Sequence, residues 1–458
     1  MTQNLQELFQ KQIGFQAAAR QLTVNQRLRL LKKLGKVVLT NRLAIQEALQ
    51  KDFQKPFHET DITDTWVVLA EIRHLRKNLH NWAHTTKAET PLSMLGTKAY
   101  IRQEAKGTCL ILSPWNYPVN LTLGPLAHCI AAGNTAIIKP SEFTPATSQL
   151  MAEMIASVFP EEHAAVVTGD ATVSKALLQF PFDHIYFTGS TAVGKEVMKA
   201  AAENLSSVTL ELGGKTPVYV HDDAAIKDAA AKITAAKMVN AGQSCIAPDY
   251  LIVHYTIAEK LIQEIEHQTH LYFSEKNSDP RNYSSIINEK HFNRLLELSS
   301  LQKDDLKKLP DGKIPLQIIR IESLDVPLMQ QELFGPILPV ITVTNEAEAI
   351  KIMNSQSPPL SVYLFTRSTH IRNIFSKSTK SGSICFNECA VQYLNPALPF
   401  GGIRHSGIGR GHGKAGFLSF SNERVYFRQR IGITTAKLLY PPYSGWKKKL
   451  ITLLLKYF

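Results

Sequence analysis

Between residues 108 and 221 the chain repeats one unit, a short apolar run rich in β-branched residues followed by a helical stretch. TCLILSP (108–114), TAIIKP (135–140), AAVVTG (164–169) and HIYFTGS (184–190) each open such a unit. SVTLELGG (207–214) and TPVYVH (216–221) then lead into a helix expected across Ala224–Asn240. Strands this apolar have no solvent face, so the rhythm predicts a parallel sheet covered on both faces by helices. A second series, DYLIVH (249–254), PILPVITV (336–343), SVYLFT (361–366) and GSICFN (382–387), predicts a second α/β domain. The 458 residues suffice for more than one core, since single cores rarely grow past roughly 250–300 residues.

The remaining segments read differently. Residues 1–85 hold long polar–apolar periodic stretches, such as Gln26 to Lys51, expected to be helices laid against a core. TKAYIRQEAKG (97–107) and NERVYFRQRIG (422–432) alternate well and are expected to pair as strands of a small protruding sheet. Lys303–Lys313 is charged, contains Pro310 and Gly312, and reads as a loop. No internal repeat or low-complexity tract appears.

Composition narrows the function classes. No secretory signal is expected from MTQNLQELFQKQ, and no run of 18 or more apolar residues exists to cross a bilayer. The five cysteines are sparse and odd in number, which suits reduced thiols in the cytoplasm. Cys385 and Cys389 have no second ligand pair at zinc spacing and the histidines form no HExxH, so no metal site is expected. The net charge of +12 comes without a nucleic-acid-binding motif, which leaves a solvated basic surface as the simplest reading. At the C-terminus Trp446-Lys447-Lys448-Lys449 precedes LITLLLKYF. Two readings stand: a peripheral anchor at the inner membrane surface, or a terminal helix packed on the protein or a partner subunit.

Candidate chemistry gathers at turns. In Asn240-Ala241-Gly242-Gln243-Ser244-Cys245 a lone cysteine follows a glycine and small polar residues that let backbone approach a ligand. An isolated cysteine can equally be a small buried hydrophobe. Glu211-Leu212-Gly213-Gly214-Lys215 ends an apolar strand with a carboxylate, costly to bury unless paired or functional. Its two readings are a salt bridge to Lys215 or another cation, and a base serving a thiol. Phe187 to Gly194 (FTGSTAVG) puts glycines between a strand and a helix start, where backbone amides approach a phosphate. Lys139-Pro140-Ser141-Glu142 stands at a strand's carboxyl end and could hold ribose hydroxyls, or cap a helix through Ser141 and Thr144. Asn116, within Pro114-Trp115-Asn116-Tyr117-Pro118, is either an oxyanion donor or a turn residue. Glu332-Leu333-Phe334-Gly335-Pro336 sets an acid and an aromatic at a turn before a strand.

Taken together, PWNYP, KPSE, FTGSTAVG, LELGGK, GQSC, ELFGP and LPFGGIRHSG follow the order seen in the aldehyde dehydrogenase superfamily. The chain resembles that superfamily from about residue 100 to residue 420. Its short N-terminus and C-terminal extension look most like the class 3 branch, which includes fatty and aromatic aldehyde dehydrogenases. The resemblance implies an α/β fold with two open parallel-sheet domains and a small bridging β-sheet that helps make a homodimer. Residues 1–86 and 106–212 would form the N-terminal helices and dinucleotide-binding domain, and 213–412 the catalytic domain. Residues 87–105 and 413–440 would form the bridging segments, and 441–458 the tail. By position, Cys245 matches the nucleophile, Glu211 the general base and Asn116 the oxyanion donor. Lys139 and Glu142 match residues near the adenine ribose, and Gly189, Ser190 and Gly194 the pyrophosphate turn. Glu332 and Phe334 match contacts to the nicotinamide ribose and ring.

The resemblance therefore implies oxidation of an aldehyde to the carboxylic acid through a cysteine thiohemiacetal and thioester. The class 3 likeness and the tail point to an apolar aldehyde, long-chain aliphatic or aromatic. Glu142 should repel a 2′-phosphate and favour NAD, while Lys139 close by leaves NADP open. A coenzyme A-acylating relative is one rival, disfavoured because such members typically lack the general-base glutamate. A catalytically silent binding protein of the same fold is the other, disfavoured by the intact Cys245, Glu211 and Asn116. The expected partners are the small-molecule substrate and a second copy of the chain, with no nucleic acid.

Overall fold

The structure, a computed structural model, describes residues 2–91, 94, 96–272, 282–300, 313–432 and 434–457. The chain opens with helices Thr2–Gln21, Val24–Thr40, Arg42–Phe53 and Val67–Trp82. Thr23 starts the second of these with a capping box, its hydroxyl accepting from the Gln26 N–H while the Gln26 side chain accepts from the Thr23 N–H. Leu31, Leu34 and Val38 recur at helical spacing and are fully buried. Together with Leu75 and Leu79 they cover one face of the first sheet.

Strands β1 (Thr86–Ala88) and β2 (Thr97–Ala105) lead away from this layer. The chain then builds β3 (Thr108–Leu112), β4 (Thr135–Lys139), β5 (Ala164–Val166), β6 (His184–Gly189) and β7 (Ser207–Leu212), all parallel. Every residue of β3 and β4 is buried, as a strand covered on both faces requires. The spatial order is β7-β6-β3-β4-β5. From β3 the chain steps outward to β5, then returns to add β6 and β7 on the other side. The carboxyl ends of β3 and β6 thus flank the switch point, where open α/β sheets leave a crevice for ligands.

The second sheet holds β8 (Pro217–Val220), β9 (Tyr250–His254), β10 (Gln317–Arg320), β11 (Ile337–Val343), β12 (Ser361–Phe365) and β13 (Ser383–Phe386). It is parallel throughout, in the order β10-β11-β9-β8-β12-β13. Edge strand β10 is polar at both ends (QIIR), which hides it from a search for apolar runs. Residues 303–312 of the expected loop lie outside the described residues, and Lys313 is buried with its Nζ donating to the Tyr283 carbonyl at 2.6 Å.

The chain then returns to the first domain earlier than the expected boundary at 412. Strand β14 (Gly407–Ile408) adds antiparallel to β7, with Gly407 opposite Glu211. Helix Gly413–Ser419 buries Phe417 in the first core. Strand β15 (Ser421–Gln429) finally pairs antiparallel with β2, from Ser421↔Ala105 to Gln429↔Thr97, completing a three-stranded sheet with β1. The two alternating segments do pair. The tail forms helix Gly445–Tyr457, in which no residue is buried. Among the described residues no helix is long and apolar enough to cross a membrane.

Candidate active site

A crevice of about 590 Å³ lies at the switch point of the first sheet, where the second domain meets it. That volume falls within the range of small-molecule sites. Asn116 beyond β3, Gly189 and Ser190 at the end of β6, Glu211 on β7, and Cys245, Glu332 and Phe334 from the second domain all line it.

The cysteine loop is held in an unfavourable backbone shape. After helix Ile226–Met238 the chain passes through Asn240 (φ 54°), Ala241 (φ 52°) and Gly242 (φ 73°), all left-handed. Non-glycine residues there cost on the order of 1–3 kcal/mol each, so the surroundings must enforce the turn. Asn240 Nδ2 donates to the carbonyls of Asn116 (2.9 Å) and Gln243 (3.1 Å). Gln243 Nε2 donates to Asn240 O and Ser285 O, both at 3.0 Å, and its Oε1 accepts from the Ile287 N–H at 2.9 Å. A Cβ on Gly242 would stand 2.4 Å from the Gly335 carbonyl oxygen, so only glycine lets the two turns touch. Asn116 Nδ2 donates to Gln243 O at 3.1 Å and ties the β3 loop to the cysteine loop across the domain seam.

Burial dominates the electrostatics. It pushes the Cys245 thiol well above its ordinary range, and the charges of Glu332 and Glu211 push it further. Burial likewise raises Glu211 to about 7, opposed by hydrogen bonds from Tyr186 and Thr188 and by the charge of Arg410. Tyr186 Oη donates to Glu211 Oε1 at 2.5 Å, and Thr188 Oγ1 approaches Oε2 at 3.5 Å. Glu332 is lifted to about 8 by burial and then by Asp249. Lys215 does not neutralise Glu211. Its ammonium pairs with Asp249 and donates to the carbonyls of Leu328 (2.7 Å) and Gln331 (2.9 Å). Asp249 in turn accepts from the Leu333 N–H at 2.9 Å, so this ion pair shapes the Glu332–Pro336 turn.

The crevice suits a dinucleotide. Ser190 caps helix Thr191–Glu203, its Oγ accepting from the Val193 N–H at 3.4 Å, which points a helix N-terminus at the crevice. A Cβ on Gly194 would stand 2.5 Å from Leu212, so glycine lets that helix lie close on β7. The Glu332 carboxylate covers Gly213, where a Cβ would meet its Oε2 at 1.9 Å. Glu332 Oε1 is buried with no hydrogen-bond partner among the described residues, as an acceptor for sugar hydroxyls would be. Phe334 takes φ 52° and meets the Trp115 ring edge-on at 5.4 Å.

Lys139 and Glu142 stand apart from this lining. They lie at the end of β4, paired with each other at 2.7 Å, and Glu142 borders a separate open depression. The helix that follows, Pro145–Ala156, is capped by neither Ser141 nor Thr144. Asp52 caps it from another helix, accepting from the Ala146 and Thr147 N–H groups at 3.0 and 2.8 Å. The sequence reading missed Asn240, Gln243, the Lys215–Asp249 pair and Tyr186. A period-of-two count along β6 and β7 would have flagged Tyr186, which shares a face with Thr188, Thr209 and Glu211.

Comparison with known proteins agrees with this geometry. Residues 9–425 match the Aldehyde dehydrogenase family. The chain is 38% identical over 420 residues to 4,4'-diaponeurosporen-aldehyde dehydrogenase of Staphylococcus aureus, covering 91% of each. It is 37% identical to aldehyde dehydrogenase family 3 member B1 of Rattus norvegicus, over 91% of this chain and 90% of that one. The structure titled "Substrate bound state of Staphylococcus Aureus AldH" superposes with a TM-score of 0.93 at 36% identity, over 98% of this chain and 99% of that one. The chain therefore belongs to the aldehyde dehydrogenase family, and to the NAD(P)-dependent oxidoreductases that act on aldehydes.

Proposed function

We propose that the chain oxidises an apolar aldehyde to the carboxylic acid, with Cys245 as nucleophile, Asn116 as oxyanion donor and Glu211 as general base. The observation that carries this is their convergence on one crevice, with Asn116 hydrogen-bonded to the cysteine loop. The Cys245 thiolate attacks the aldehyde carbon, forming a C–S bond as the C=O π pair moves onto oxygen. An amide carries two N–H donors. One on Asn116 is committed to Gln243 O, and the other serves the carbonyl oxygen as it gains charge. A bound nicotinamide dinucleotide supplies the hydride acceptor, which turns the cysteine adduct into a thioester. Glu211 then takes a proton from water as the water oxygen adds to the thioester carbonyl, and the C–S bond breaks to release the acid.

Ser190, Gly194, Glu332 and Phe334 would hold the dinucleotide. Glu142 favours NAD over a 2′-phosphorylated cofactor, and Lys139 beside it leaves NADP usable. The apolar substrate class is supported by the Staphylococcus relative, named for 4,4'-diaponeurosporen-aldehyde, and by the exposed apolar side chains of the basic tail. That tail serves as a peripheral membrane contact of a cytoplasmic protein. The bridging sheet serves a homodimer, with Val425 and Phe427 of β15 68% and 51% exposed in the single chain.

The test is an aldehyde panel varying chain length and aromaticity, read by NADH absorbance with and without coenzyme A. Acid released without any thiol acceptor supports hydrolysis. An obligatory thiol acceptor, or near wild-type oxidation by Cys245→Ala, refutes the scheme.

A further inference from the structure

Glu211 lies on the boundary of two spaces. Its carboxylate faces the substrate crevice, and it also lines a second cavity of about 20 Å³ behind it, room for one water molecule. Across that cavity stand Glu71, His128 and His412. Glu71 is committed among them, meeting His128 Nε2 at 2.9 Å and accepting from the Gly413 N–H at 2.8 Å. The direct hold on Glu211 comes from its own sheet. Tyr186 and Glu211 occupy diagonal positions on one face of β6 and β7, since Thr188 is the residue directly opposite Glu211. The Tyr186 ring stacks on Phe420 at 5.5 Å, 9° from parallel, which fixes where its hydroxyl ends.

Gly411 decides whether this contact can exist. A Cβ at that position would stand 2.5 Å from Glu211 Oε1 and 2.5 Å from Tyr186 Oη. The backbone there cannot easily retreat, because Gly411 and Phe400 exchange N–H···O bonds of 3.1 and 2.7 Å. Gly411 is thus the opening through which the tyrosine hydroxyl reaches the carboxylate.

We propose that Tyr186, reaching Glu211 through the gap left by Gly411, is a positioning residue that orients and tunes the general base for thioester hydrolysis. This rests on the reading of Glu211 as that base. The groups facing Glu211 are Tyr186 and Thr188 from β6, Arg410 from the segment after β14, and Cys245 and Tyr393 from the second domain. A donated hydrogen bond favours the ionised carboxylate, so losing it raises the pKa of Glu211. Hydrolysis needs the ionised form, and the acid limb of its pH profile must then move upward.

The experiment compares wild type, Tyr186→Phe, Gly411→Ala and Glu211→Gln by pre-steady-state NADH burst, steady-state kinetics and pH–rate profiles. Tyr186→Phe keeps the ring and its stack on Phe420. The expected result is deacylation slowed about tenfold, an enlarged NADH burst, an acid limb of deacylation higher by about one pH unit, and a KM that falls with kcat so that kcat/KM is unchanged. Gly411→Ala pushes the same pair apart from the other side and must move the same limb in the same direction. It carries the test should Tyr186→Phe fail to fold. Wild-type profiles and deacylation in both variants, with Glu211→Gln blocked at the acyl-enzyme, would overturn the positioning role alone. A Glu211→Gln enzyme that hydrolyses at the wild-type rate would overturn the base assignment, and this proposal with it.

Discussion

The proposed nucleophile sits under a handicap that its neighbours must relieve. Cys245 is half-buried beside two carboxyl groups, and both desolvation and negative charge disfavour the thiolate. Burial also lifts Glu211 to about 7 and Glu332 to about 8, so near neutral pH a large share of that opposing charge is absent. A cationic nicotinamide ring, once bound in the crevice, would act in the same direction. In the proposed scheme Asn116 then meets the charge that leaves sulfur and collects on oxygen. Asn116→Ala should lower kcat by on the order of 10²–10³ with little change in KM, the signature of a donor used only in the transition state. It also removes a tie to Gln243 O, so a thermal melt should accompany the kinetics. A loss confined to KM would mean that Asn116 serves ground-state binding instead.

At the scale of elements, turns that look like loose connections carry the precision. Gly242→Ala would place a methyl 2.4 Å from the Gly335 carbonyl at a backbone φ of 73°. It should cost about 1–3 kcal/mol of stability and misplace the thiol. Thermal unfolding and the rate of Cys245 alkylation check this, and wild-type values for both would contradict it. A buried charge plays a comparable part at the start of helix Asn120–Ala132. Asp64 accepts from the Val119 and Asn120 N–H groups, each at 3.2 Å, and from Lys55 at 2.6 Å, with both side chains fully buried. Lys55 also lies 4.2 Å from the centre of the Tyr117 ring, next to Asn116. Asp64→Ala strands a buried ammonium and should cost about 3–5 kcal/mol in chemical denaturation, whereas exchanging Asp64 and Lys55 together for apolar residues should recover most of it.

These examples show which parts could be read from sequence and which could not. Strands β3, β4, β6, β8, β9 and β12 announce themselves because strands covered on both faces carry an apolar run along their middle, with polar residues only at their ends. Strands β10 and β14 do not, one being polar at its ends and the other only Gly407–Ile408. The crevice residues were legible through their motifs. Tyr186 was hidden inside an apolar run, and nothing in the sequence marks Lys55 and Asp64 as buried partners, because partners far apart in sequence decide their environment.

At the scale of the whole molecule, the tail helix buries none of its residues against the rest of the chain. Trp446 and Leu455 are 60% and 81% exposed on a helix with three adjacent lysines. Deleting residues 446–458 should abolish sedimentation with anionic vesicles while leaving kcat on a water-soluble aldehyde within about twofold, since no described tail residue reaches the crevice lining. An intact chain that stays in the supernatant would end the membrane reading. The path of the chain through its two domains has a further consequence. Glu211 lies on a strand whose outer neighbour, β14, arrives only after the entire second domain has been made. A nascent chain that has already exposed Asn116, Glu211 and Cys245 therefore still presents β7 as a bare edge, without Gly411 beside its carboxylate. The edge strand that carries the proposed base is thus closed only by a segment made after both parallel sheets.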